Sequence, residues 1–147
     1  MAEESVKRYT GGCLCGALRY EAEGEPLNSG HCYCADCRKA SGSGFVPFMG
    51  FRSSAVRFTG QSRIFISKAA RGGDAVRNFC PICSSLVFGG RVGQDSSHTI
   101  YAGSLDDPSA FRPKIAIFTA GRPDWAIIPP NLAVFARLPT NDPPSSG

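Results

Sequence analysis

The sequence predicts a mainly β fold in a single domain of antiparallel sheets, and three observations carry the prediction. Short segments with two-residue alternation, or with β-branched and aromatic composition, recur along the chain. Gly, Pro, Ser and Asn separate them at close intervals. At 147 residues and 42% hydrophobic content the chain can bury one core, and it shows no internal repeat or linker.

In chain order, ALRYEAE (17–23) alternates apolar and polar as a half-buried strand should. GFVPFMGF (44–51), AVRFTG (55–60) and SRIFIS (62–67) follow, then AVRNFC (75–80), SLVFGG (85–90), HTIYAG (98–103) and KIAIFTA (114–120). Pro47 points to an edge strand or a bulge, because proline cannot donate to a ladder. ADCRKAS (35–41) reads as a short helix. SLDDPSAF (104–111) reads as a turn, in which Asp106 and Asp107 before Pro108 supply cap chemistry rather than an acid–base pair. Phe45, Phe48, Phe51 and Trp125 are assigned to core or pocket wall. Residues 1–10 form a lead-in, 11–138 the domain, and the Pro/Ser-rich stretch 139–147 a disordered tail.

Composition narrows the function classes. The formal charge of +4 is scattered from Lys7 to Arg137, and it falls to about +1 if all seven cysteines are thiolates on two divalent ions. No nucleic-acid partner is expected. No apolar run approaches a membrane span, and MAEESVKRYTGGCLCG lacks the apolar core of a secretory signal. A cytoplasmic, reducing setting without a membrane partner is expected.

The cysteines are the informative residues. Cys13 and Cys15 form C-x-C, Cys32, Cys34 and Cys37 form C-x-C-x-x-C, and Cys80 and Cys83 form C-x-x-C. Three tight clusters in a reducing compartment point to metal ligation over disulfides or incidental burial. All-thiolate sites select zinc or iron, and zinc is the commoner ion in cysteine cages. The preferred partition closes Cys13, Cys15, Cys80 and Cys83 around one ion, clipping a distant strand pair to the N-terminal hairpin. Cys32, Cys34 and Cys37 then give a second ion three ligands and one open position, the layout of a catalytic zinc. A rival joins Cys34/Cys37 to Cys80/Cys83 as in a zinc ribbon. The roughly 42 residues between those pairs exceed the usual spacing of about 15–20, which ranks the rival second without excluding it. His31 neighbours Cys32 and in extended chain points to the opposite face, and His98 reads as a strand residue with a satisfied ring. Neither is assigned as a fourth ligand.

Taken together, GGCLCGALRYE, HCYCADCRKASGSGF, RNFCPICSSLVF, YAGSLDD and RPKIAIFTAGRPDW resemble the glutathione-dependent formaldehyde-activating enzyme (GFA) family, which also includes centromere protein V. The resemblance runs from about Gly11 to Phe135. It implies coiled antiparallel sheets stapled by a four-cysteine zinc site at Cys13, Cys15, Cys80 and Cys83, and an active-site zinc at Cys32, Cys34 and Cys37. The implied reaction joins glutathione and formaldehyde into S-hydroxymethylglutathione, and members are described as carbon–sulfur lyases. Three positions depart from the pattern: Ser84 stands where glycine is usual, Ala116 where many relatives carry histidine, and Arg122 where lysine is common.

Glutathione would need cationic partners for its carboxylates. Arg38 and Lys39, directly after Cys37, are the nearest in sequence, with the guanidinium better suited to bidentate binding. Lys68 and Arg71 lie on a Gly-rich loop that can cover a site. Two other readings stand beside the lyase: a zinc-stapled binding module without catalysis, and a thiol redox protein.

Overall fold

The structure, a computed structural model, describes residues 6–139. Most of the predicted tail, 139–147, therefore lies outside the described residues, as do residues 1–5 of the lead-in. Among the described residues two sheets, one short α-helix and four 3₁₀ turns make up the fold. The smaller sheet has the order β1-β2-β5, from β1 (Arg8–Gly12), β2 (Arg19–Glu23) and β5 (Val56–Thr59). The larger runs β11-β10-β3-β4-β9-β8-β7-β6. Its strands are β3 (Asn28–Cys32), β4 (Val46–Arg52), β6 (Arg63–Lys68), β7 (Asp74–Phe79), β8 (Leu86–Gly89), β9 (Ser97–Tyr101), β10 (Ile115–Ile117) and β11 (Ala133–Val134). Helix α1 (Ala35–Ser41) occupies the connection between β3 and β4.

The mainly β class and the predicted strands are all present, and α1 spans the predicted residues. One refinement concerns direction: β10 runs parallel to both β3 and β11, so the larger sheet is mixed at that end. Pro47 needs correcting. It lies in β4, a central strand, opposite His31 in an unshifted ladder with β3, so it marks neither an edge nor a bulge. The ladder to β9 begins only at Phe48, so at Pro47 there is no β9 residue to receive a donor.

Packing follows the alternation. Tyr20 and Ala22 of β2 are buried, and Val76 and Asn78 of β7 are buried with their neighbours less so. The main core gathers Tyr9, Leu18, Tyr20, Met49, Phe51, Val87, Phe88 and Ile100 between the sheets, and it includes Cys13 and Cys80. A second cluster holds Tyr33, Ala116, Ala126 and Val134, with Phe45 packed against it. Phe48 and Phe51 are buried as assigned, whereas Trp125 is 69% exposed and belongs to neither cluster. Asp106 is held by Arg19 and Thr10, and Asp107 caps a 3₁₀ turn at Pro108–Ala110, so both carboxylates are structural. No helix among the described residues is long and apolar enough to cross a membrane.

The three family departures take on physical meaning here. Ser84 has φ of 64° and donates its N–H to the Cys80 carbonyl at 2.9 Å, a left-handed turn that favours glycine. Ser84→Gly is expected to stabilise the protein by roughly 0.5–1 kcal/mol, after the entropy of the unfolded glycine is offset. A denaturant titration of the metal-loaded protein measures it, and a variant weaker than the parent would contradict the strain. Ala116 is fully buried in the second cluster, and Arg122 donates to the Ala126 carbonyl at 3.2 Å.

Candidate metal centres

Cys13 and Cys15 sit in the turn between β1 and β2, and Cys80 and Cys83 in the knuckle between β7 and β8. Their four sulfurs all lie within 4.8 Å of one another. The smaller sheet and the larger one therefore meet at this quartet. Zinc bonds of about 2.3 Å in a tetrahedron set sulfurs about 3.8 Å apart. Cys13 to Cys15 and Cys15 to Cys80 are both 3.7 Å, so the donor set fits such an ion. Backbone N–H groups are already turned toward the sulfurs: Leu18 donates to Cys13 at 3.2 Å, and Ile82 donates to Cys80 at 3.4 Å. Hydrogen bonding from Ser85 draws the Cys83 thiol down to about 5.

The trio is built by a different device. Cys32 ends β3, Cys34 is the N-cap of α1, and Cys37 lies in the first helical turn. The cap bond runs from the Cys37 N–H to the Cys34 sulfur at 3.2 Å. Capping thus turns Cys34 back over the helix start, and the three sulfurs fall within 4.8 Å of one another, Cys32 and Cys37 at 3.4 Å. Without a cation the three must share protons. Cys34 is held well below the ordinary thiol range by hydrogen bonding from Cys32 and then Cys37, with the Arg77 guanidinium adding to the effect. The same contacts with Cys34 and Cys37, then burial, push Cys32 far up. A divalent ion would relieve this opposition by favouring all three thiolates.

The two clusters differ in surroundings. The trio lines a cleft of about 730 Å³ whose other walls come from β4, β7, β9 and β10, whereas none of the quartet lines it. Val46, Phe48, Ile115 and Ile117 give it apolar surface, and Tyr101 and His98 add polar groups. Burial pushes the Tyr101 hydroxyl up to about 12. His98 is buried with Nδ1 at 3.0 Å from the Gly89 carbonyl, which fixes the proton on Nδ1. His31 is stacked on Phe45 at 4.1 Å with its Nδ1 3.3 Å from the Tyr33 hydroxyl, and it is absent from both cysteine clusters.

The cationic residues fall elsewhere than the sequence suggests. Asp36 and Cys37 of α1 line the cleft, but Arg38 and Lys39 do not. Successive helix residues are rotated by about 100°, so following Cys37 in sequence does not mean facing the same way. Of the two loop cations, Arg71 lines the cleft and Lys68 does not. Arg77 and Arg91 were not singled out from the sequence, yet both line it. The signal for Arg77 was available: Val76 and Asn78 alternate inward on β7, which sends Arg77 to the other face.

A crystal structure of a Rhodobacter sphaeroides protein shares the fold, with a TM-score of 0.50 at 22% identity, covering 69% of this chain and 93% of that one. No curated protein matches. The profile of the glutathione-dependent formaldehyde-activating enzyme family matches residues 8–121. With both cysteine clusters inside that span, the chain belongs to the glutathione-dependent formaldehyde-activating enzyme family.

Proposed function

We propose that this protein is a zinc-dependent carbon–sulfur lyase that makes or cleaves the adduct of glutathione and formaldehyde, or a closely related thiol adduct. In this reading residues 11–138 form one zinc-binding β domain. The observation that carries it is the contrast between the two clusters: four sulfurs gathered where the two sheets meet and lining no cleft, three sulfurs on the wall of a cleft. Cys13, Cys15, Cys80 and Cys83 would hold the bracing ion, and Cys32, Cys34 and Cys37 the reactive one.

A zinc ion held by the trio would acidify an incoming thiol and fix its position, with Lewis acidity tempered by three thiolate donors. The chain's own residues do the rest. The cleft wall formed by Val46, Phe48, Ile115 and Ile117 offers the aldehyde an apolar surface on the same cleft as the trio. The substrate sulfur adds to the aldehyde carbon, one C–S bond forms, and the proton lost from sulfur ends on the former carbonyl oxygen. Cleavage is the reverse. Holding both partners in one cleft converts a bimolecular addition into a positioned one.

The test is a panel of thiols and small aldehydes assayed with and without a chelator, spontaneous addition being subtracted. Two zinc ions per chain and a chelator-sensitive rate above background are expected. A rate that never exceeds background with two ions bound would overturn the lyase reading.

A further inference from the structure

We propose that Arg77 and Arg71 form an anion-binding subsite in the cleft beside the cysteine trio, and that it selects thiols carrying a carboxylate over uncharged ones. This deepens the lyase reading and rests on it for the position of the thiol.

The argument starts with which charges in the cleft are already matched. The lining carries Arg71, Arg77 and Arg91 against Asp36, Asp74 and Asp95. Arg91 is committed, since its guanidinium meets Asp74 at 3.3 Å and its backbone N–H donates to Asp95 at 2.6 Å. Among the described residues neither Arg71 nor Arg77 has a carboxylate partner. Arg77 makes one hydrogen bond, to the Ser67 hydroxyl at 3.2 Å, which orients the group and leaves most of its five N–H donors free. It is half-buried in the middle of β7, whose backbone is paired on both sides, with β6 and β8. Asp36, the remaining carboxylate of the lining, lies on α1 between β3 and β4 and pairs with neither arginine, so two guanidiniums face one carboxylate in the same cleft.

Placement then favours a ligand over mere charge balance. Arg77 lines the same cleft as Cys32, Cys34 and Cys37, and opposite it on β8 stands Gly89, which puts no side chain in the way. Arg71 lies on the β6–β7 hairpin turn, which is closed by the Ala69 N–H donating to the Gly73 carbonyl at 2.9 Å. A ligand whose sulfur sits at the trio would therefore meet one cation near its thiol and a second farther along. Guanidinium forks match carboxylates in a bidentate manner, and the partly desolvated cleft strengthens that contact.

The experiment compares zinc-loaded parent, Arg77→Gln and Arg71→Gln with formaldehyde and either glutathione or 2-mercaptoethanol. For Arg77→Gln, KM for glutathione is expected to rise about 10- to 100-fold with kcat held, and KM for 2-mercaptoethanol to stay unchanged. Arg77→Lys should recover part of the loss. Equal losses with both thiols, or none with either, would overturn the subsite. Calorimetry with S-methylglutathione, which has the carboxylates but no free thiol, provides an arm independent of turnover. Binding weakened by Arg77→Gln supports the subsite even if no thiol–aldehyde rate is found, and equal binding overturns it even if the lyase activity is confirmed.

Discussion

Replacing Cys15, an exposed thiol, with serine is expected to destabilise the protein about as severely as replacing Cys80, which is fully buried. Packing alone predicts the opposite. An exposed side chain that fills no core volume ordinarily changes stability little when substituted, whereas Cys80 lies inside the main core. The sulfurs of Cys15 and Cys80 are 3.7 Å apart, however, and both belong to the quartet that joins the β1–β2 turn to the β7–β8 knuckle. If a bound ion carries that junction, either ligand is worth a share of the metal's folding free energy, whatever its exposure. The melting temperature of either variant should fall by on the order of 10 °C or more. Metal content should drop toward one ion per chain. A Cys15→Ser protein that melts with the parent would show that core packing, and not a cation, holds the sheets together.

The quartet was readable from sequence because its meaning resides in residue type and short spacing. The same holds for the trio, where C-x-C-x-x-C places two ligands one helical turn apart and Asp36 and Cys37 beside the cleft. Strands β1 and β3 were not readable, and the reason is local. RYTGG and NSGHC carry glycine where strands usually carry branched side chains. The glycines are there because neighbouring backbone leaves no room. A Cβ on Gly11 would collide with the Ser104 carbonyl, and one on Gly30 with the Ile115 carbonyl of the parallel strand β10. Tertiary closeness thus erased the propensity signal that would have marked these segments. Distance along the chain misled in a second way. Arg38 and Lys39 are nearest to Cys37 in sequence, while the cations that line its cleft come from β7, the loop after β8 and the β6–β7 turn. In the larger sheet β4, β9 and β8 stand between β3 and β7, so only the tertiary fold, which puts all of these strands on one cleft, brings the cations to the trio.

Cys34→Ser should separate chemistry from folding. Cys34 caps α1 through its sulfur, and serine is among the best residues for that task, so its hydroxyl can accept the Cys37 N–H in place of the thiol. The helix start, and with it the β3–β4 connection, is expected to survive, and the melting temperature to fall by much less than in Cys15→Ser, because the ion lost here joins the end of β3 to α1 and not one sheet to the other. What serine cannot replace is the thiolate. One of three sulfur donors is lost from a site that has no fourth cysteine, and the hydroxyl is a poor substitute on a thiophilic ion. The second ion should dissociate while the first remains, and the thiol–aldehyde rate should fall on the order of 10³-fold, the equivalent of losing several kcal/mol of metal assistance. A variant that unfolds like Cys15→Ser would make the trio a second brace. One that keeps its rate with a single ion bound would remove the metal from the reaction altogether.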